Sequence, residues 1–266
     1  RLNDAVGAVG RVFLGKPEQV RLAWVCLVAE GHLLLEDVPG TGKTLLARAL
    51  AKCLGGEFSR VQFTPDLLPS DVTGVSIYNQ KTAEFEFRPG PIMAQIVLAD
   101  EINRATPKTQ SALLEAMEEH QLTVDGVTRA LPSPFMVMAT QNPIEYEGTF
   151  PLPEAQLDRF IFNVMLDYLS AEDEVKVLDL TTTTHKAKAE TVTTSEEILD
   201  FQQLVRMVPI ADSVARYAVG LVRATRATNP DSPDFVKKYV NFGASVRAAQ
   251  NLVLTSKARA LMHGRY

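Results

Sequence analysis

An alternating α/β fold around a five-stranded parallel sheet, continued by a smaller all-helical part, is what this sequence predicts. Three observations carry it. Five short apolar runs, Leu33–Glu36, Ser59–Phe63, Ile96–Asp100, Phe135–Thr140 and Phe160–Leu166, alternate with segments of helical period. Strands buried on both faces and joined by crossover helices leave that pattern. Beyond Leu166 the β signal fades, and Glu172–Leu180, Ser195–Met207 and Asp212–Thr225 all repeat with helical period. At 266 residues the chain also exceeds one average domain, which favours a large domain with a smaller companion. The expected division is 1–168 and 169–266.

The first helix opens at Pro17, a good first-turn residue, and closes before Gly31, with Val20, Trp24, Leu27 and Val28 on one face. A second runs from Lys43 to Leu54 and stops at Gly55–Gly56; a third follows Thr106, with Leu113, Leu114 and Met117 on one side. Two stretches stand outside the alternation. Ser76–Pro91, with Phe85 and Phe87 in alternation, reads as a hairpin inserted before the third strand. Gln121–Pro134 reads as a second, turning at Asp125-Gly126. Thr181–Thr194, rich in Thr and Lys, reads as a solvated loop. No internal repeat is visible.

An apolar fraction of 46% supports a buried core, and a net charge of −5 argues against sequence-independent duplex binding. No apolar run approaches the ~20 residues a membrane span needs, and Arg1–Gly10 lacks the apolar stretch of a signal peptide. Cys26 and Cys53 lie in apolar helical patterns, the signature of buried thiols in a reducing compartment rather than a disulfide. A cytoplasmic location is the expectation. The four histidines show no metal-ligand spacing, and no Ser-His-Asp or Cys-His arrangement is suggested.

Chemistry concentrates in residues 36–44, EDVPGTGKT, which follow an apolar strand and open a helix. Gly40 and Gly42 let backbone N–H groups turn inward around a triphosphate, and the helix adds the positive end of its dipole. Lys43 then reaches the β/γ-phosphates and the Thr44 hydroxyl holds Mg²⁺. Asp37 stands where the strict phosphate-loop pattern has its first glycine. A glycine-rich turn before an ordinary helix is the competing reading. IVLADE, residues 96–101, ends a strand in two carboxylates. Asp100 suits the metal shell, and Glu101 suits a general base that polarises water. A strand ending in two acids is common by itself; it gains meaning because both motifs meet at the C-terminal edge of one sheet. Thr140, Gln141 and Asn142 end the fourth strand at that edge, where an amide positions a lytic water or, alternatively, merely starts a turn before Pro143. Arg104, Arg159 and Arg247 are the basic candidates for stabilising phosphoryl charge, each of which also reads as an ordinary surface or ion-paired arginine. For Arg159, Glu154 and Asp158 are the nearby partners in sequence.

Together these residues resemble the AAA+ ATPases and, within them, the MoxR family. LLLEDVPGTGKT (33–44), LADEINRATPKTQSALLEAMEE (98–119), ATQNP (139–143), PLPEAQLDRF (151–160) and GASVRA (243–248) all look like MoxR signatures, and they span nearly the whole chain. Asp37 is itself typical of that family. The resemblance implies a sheet in strand order 5-1-4-3-2 with helices on both faces and a helical lid. It places Walker A at Asp37, Val38, Pro39, Gly40, Thr41, Gly42, Lys43, Thr44 and Leu45, binding ATP, with Mg²⁺ on Thr44 and Asp100. It places Walker B at Asp100 and Glu101, sensor 1 at Asn142, a trans-acting arginine finger at Arg159 and sensor 2 at Arg247. Val246 stands where the family usually has Pro. The two hairpins resemble the helix-2 and pre-sensor-1 inserts of that clade.

The resemblance further implies a homo-oligomeric ring, commonly a hexamer, that remodels client proteins, some with a von Willebrand factor A domain. A nucleic-acid motor and a metal-chelatase motor subunit are the alternatives in the same clade. Against the first, the second hairpin carries only Asp125 and Arg129, which cancel. A nucleotide-gated scaffold without turnover would have no need of Glu101.

Overall fold

The computed structural model describes residues 1–37, 40–142, 148–182 and 189–265. It opens with α1 (Leu2–Gly10), α2 (Pro17–Val28), β1 (Leu33–Asp37), α3 (Lys43–Cys53), β2 (Phe58–Gln62) and α4 (Pro69–Thr73). Next come β3 (Gly74–Asn79), β4 (Glu84–Pro89), β5 (Ile96–Asp100), α5 (Pro107–Glu119), β6 (Gln121–Val124), β7 (Val127–Ala130) and β8 (Met136–Gln141). The remainder is α6 (Glu154–Leu157), β9 (Phe162–Leu166), α7 (Ala171–Thr182), α8 (Ser195–Met207), α9 (Asp212–Ala224), α10 (Asp234–Tyr239) and α11 (Val246–Met262).

β2, β5, β8, β1 and β9 lie side by side in that order, all parallel. Numbered among themselves along the chain, they run 5-1-4-3-2 across the sheet, the expected order. Alternate strand residues point to opposite faces, and both faces are covered. Leu34, Val97, Ala99, Val137 and Ala139 pack into one core with Leu113, Leu114 and Met117 of α5. Leu33, Leu35, Ile96, Leu98, Met136 and Met138, the intervening residues, are equally buried on the other side. That is why β5 and β8 are apolar without alternation.

Both hairpins form. β3 pairs antiparallel with β4 and β6 with β7. Asp125 and Gly126 adopt positive φ, 52° and 74°, the conformation a two-residue turn between right-twisted strands requires. Pro17 and Pro107 stand in the first turns of α2 and α5, as expected. Cys26 and Cys53 are buried free thiols.

The chain divides into two compact units, Arg1–Leu199 and Asp200–Tyr266, so the division lies beyond the expected 168/169 boundary and inside α8. The reason is local packing. A side chain at Gly15 would strike Leu169 and Asp173 beside α7. The backbone N–H groups of Val192 and Thr193 both donate to the Cys53 carbonyl, at 3.0 and 3.1 Å. Thr193 is thereby buried, so the part of Thr181–Thr194 nearest α8 is docked rather than solvated; residues 183–188 of that stretch lie outside the described set. In the second unit α9 packs on α11, whose start is capped by the Ser245 hydroxyl accepting from the Ala248 N–H. No helix among the described residues is long and apolar enough to cross a membrane.

Candidate functional site

Parallel strands deliver their C-terminal ends to one edge, and the loops leaving that edge carry the candidate residues. β1 leads into the glycine-rich loop. Gly40 and Gly42 hold φ of 88° and 87°, left-handed values that glycine adopts without strain. Gly42 caps α3, so Lys43 and Thr44 occupy its first turn, where N–H groups lack helical partners. Backbone N–H groups and a helix N-terminus together suit an anion. Val38 and Pro39, and the Asp37 side chain, lie outside the described residues.

Lys43 Nζ sits 2.9 Å from Oδ1 of Asp100. Asp100 is buried at the end of β5. Thr140 of β8 donates to the same oxygen at 2.7 Å, while Arg60 of β2 donates to Oδ2 through Nε at 3.2 Å and Nη2 at 2.6 Å. Burial on its own would push the Asp100 carboxyl up; hydrogen bonds from Lys43, Thr140 and Arg60 outweigh it and hold the group below its ordinary value. Asp100 is therefore an ionised carboxylate held by residues from two strands and a helix.

Glu101 follows in the left-handed conformation, φ 56° and ψ 50°, unusual for a residue with a side chain. Its N–H donates to Thr140 Oγ1 at 2.9 Å, so one buried hydroxyl serves both acids. Its carboxylate Oε2 pairs with Arg104 Nε at 3.0 Å. One strand over, Gln141 donates to Glu36 Oε1 at 2.8 Å and Asn163 donates to the same oxygen at 2.9 Å. Glu36, at the end of β1, is thus tied to the end of β8 beside Asn142 and to Asn163 near the start of β9. Residues 143–147, which follow it, are not described.

The donor types fit a magnesium-bound triphosphate. A hydroxyl and a carboxylate are hard oxygen ligands, and Mg²⁺ typically takes one or two of these while phosphates and water supply the rest. No group of three or more His, Cys, Asp or Glu suited to an all-protein metal cage occurs among the described residues. His32 belongs to the core instead. Its Nδ1 accepts from the Val137 N–H at 3.0 Å and its Nε2 faces the Met117 carbonyl at 3.1 Å. Burial pushes its pKa down to about 4, so the ring is neutral.

Sequence reasoning missed a pair of cavities beside the loop. One, of about 300 Å³, is lined by Lys16, Gly40, Thr41, Tyr168, Leu169 and Val177 among others. A smaller one of about 120 Å³ adds Phe13, Leu14, Gly42 and Leu45. The largely apolar walls of the smaller one, next to a phosphate loop, suit a planar nucleobase. Phe13 and Val177 carry no motif, and their apolar character reads simply as core.

Arg159 lies at the opposite end of the sheet. It precedes β9, whose first residue Phe162 is level with Leu33 at the start of β1, whereas the glycine-rich loop follows the far end of that strand. Its guanidinium donates to the Leu114 carbonyl and pairs with Glu118 at 2.8 Å. Both of these partners lie on α5, onto which the side chain turns. Arg247 belongs to the second unit, in the first turn of α11. The site residues within the first unit that come together are therefore Gly40, Gly42, Lys43, Thr44, Asp100 and Glu101, with Asn142 on the neighbouring strand end.

Comparison with known proteins places this arrangement. Residues 32–162 match the family model described as "ATPase family associated with various cellular activities (AAA)". The chain is 54% identical over 265 residues to an uncharacterized protein, YeaC, of Bacillus subtilis, covering 99% of this chain and 80% of that protein. It is 43% identical over 264 residues to Chaperone MoxR1 of Mycobacterium tuberculosis, covering 99% and 70%. A crystal structure of a candidate ATPase from Cytophaga hutchinsonii superposes with a TM-score of 0.91 at 41% identity, covering 99% of this chain and 80% of that one.

Proposed function

This chain belongs to the MoxR family of AAA+ ATPases, and from that premise we propose that it couples magnesium-dependent ATP hydrolysis to chaperone-like remodelling of partner proteins as a homo-oligomeric ring. The observation that carries the reading is the contact of Lys43 with Asp100, with Glu101 one residue on. All three meet where the backbone is shaped for phosphate.

In this reading the loop N–H groups around Gly40 and Gly42 bind the triphosphate, and Lys43 exchanges Asp100 for β/γ-phosphate oxygens. Thr44 and Asp100 would hold Mg²⁺, which would supply positive charge to offset the negative charge developing on the phosphates. Glu101 takes the proton of the attacking water, and Asn142 orients that water beside the γ-phosphate. The apolar cavity beside Phe13 and Val177 takes the base. Arg159 serves a neighbouring subunit, and Arg247 contributes from the helical part.

Client remodelling rests on kinship with a protein named as a chaperone, and a partner with a von Willebrand factor A domain remains the expected class. A nucleic-acid motor has less support. Arg129, the basic residue of the β6–β7 hairpin, stacks on Phe87 with its guanidinium 4.0 Å from the ring centre, so it is engaged with the β3–β4 hairpin. The test is a pull-down with Glu101→Gln, which holds ATP without turning it over. A protein partner retained with ATP and released with ADP is expected. Capture of the same proteins in both nucleotides, or of none, contradicts the remodelling role.

A further inference from the structure

Arg104 has no assigned part in the reaction, and its setting is unusual. The 3-10 turn Ile102–Arg104 is closed by the Arg104 N–H donating to the Glu101 carbonyl at 2.9 Å. In such a turn residues three apart stand on the same side. Underneath, the turn is fastened to the core. Buried Gln110 of α5 donates through Nε2 to the carbonyls of Ile102 at 3.1 Å, Ala105 at 3.2 Å and Phe150 at 2.8 Å. The Phe150 N–H in turn donates to the Asn103 carbonyl at 2.6 Å. Ile102 and Ala105 are fully buried. Against this fixed backbone only the Glu101 and Arg104 side chains reach outward, at 33% and 41% exposure.

Three constraints thus converge on Glu101. Its left-handed backbone is imposed by the anchored turn, its N–H is held by Thr140, and its Oε2 is held by Arg104. A strained backbone persists only where its surroundings over-determine it. An ion pair this exposed adds little to folding, so stability does not account for the arginine. A general base, by contrast, acts only if one carboxylate oxygen is aimed within hydrogen-bond reach of the water.

We propose that Arg104 is a positioning residue for Glu101: its guanidinium fixes Oε2 so that Oε1 faces the attacking water and accepts its proton. The inference rests on Glu101 being the base. In the step, the water O–H bond breaks as its oxygen attacks the γ-phosphorus, the proton passes to Oε1, and ADP leaves with the bridging oxygen. Arg104 exchanges no proton.

The test is a double-mutant cycle in the full chain on kcat, with KM for ATP and Tm measured alongside. Arg104→Ala should lower kcat roughly tenfold and leave KM and Tm essentially unchanged. Arg104→Lys should recover part of the loss. In a Glu101→Gln background, Arg104→Ala should change the residual single-turnover rate by less than about twofold, because a residue acting only through Glu101 has nothing left to position. The proposal is overturned if Arg104→Ala leaves kcat at the wild-type value. It is also overturned if Arg104→Ala costs as much in the Glu101→Gln background as in the wild type. A Glu101→Gln single mutant of wild-type rate marks a different failure, that of the base assignment itself, and removes the proposal with it.

Discussion

Glu101→Gln should cut ATP hydrolysis by roughly 10²-fold or more while nucleotide affinity stays within about twofold of wild type. The split follows from position. Asp100 is buried and bonded to Lys43, Thr140 and Arg60, so it has the surroundings of a fixed ligand. Glu101 is one-third exposed, outside that network except through its N–H. Glutamine keeps the size and the left-handed backbone but cannot take a proton from water near neutral pH. Phosphate release and nucleotide titration on the same preparation check the outcome. Hydrolysis near the wild-type rate would mean that another residue is the base.

Arg159→Ala should lower activity by about 10³-fold, the scale on which an added guanidinium accelerates phosphoryl transfer. The proposed trans-acting role rests on where the sheet puts this residue. Arg159 enters β9, a five-residue edge strand parallel to β1. The glycine-rich loop leaves the other end, about 15 Å away at ~3.3 Å per residue. A side chain that also turns onto α5 is poorly placed to reach its own phosphates. If the Glu118 pair were its whole purpose, Arg159→Ala would cost little stability, ~0–1 kcal/mol, and full activity would remain. Mixing separates the cases. Arg159→Ala subunits combined with Lys43→Ala subunits, each inactive alone, should regain activity where an intact Lys43 site meets an intact Arg159. Mixed oligomers that stay dead at every ratio rule out the trans-acting role.

How much of this was legible in the sequence depends on how local the signal is. Residues 40–44 and 96–101 carry their chemistry within a few positions, so the glycine-rich turn and the strand-ending acids stand out, as do Asp125-Gly126 and the prolines that open α2 and α5. Contacts joining distant segments do not. Arg60 reaches Asp100 from a neighbouring strand, and nothing around it marks it as other than a surface arginine. Thr140 reads as a strand residue, yet its hydroxyl bonds both Asp100 and Glu101. The cavity walls combine residues 12–16 with residues 167–181, and the apolar ones among them, Phe13, Leu169 and Val177, are indistinguishable from core until the fold brings them together. The misplaced division has the same origin. Composition changes after Leu166, but packing continues through Leu199, because Cys53 and Gly15 receive the segment between. α1 escaped notice for a related reason: its small residues, Ala5, Ala8 and Val9, are buried, but only a neighbouring helix reveals that they face a core.

Whether residues 40–44 form a triphosphate site built around Lys43 is tested most directly by calorimetric titration of ATP with Mg²⁺ into wild-type and Lys43→Ala protein. Binding weakened at least tenfold, ~1.4 kcal/mol or more, by loss of the ammonium group is expected. Equal affinity in the two proteins, both folded by circular dichroism, would contradict it.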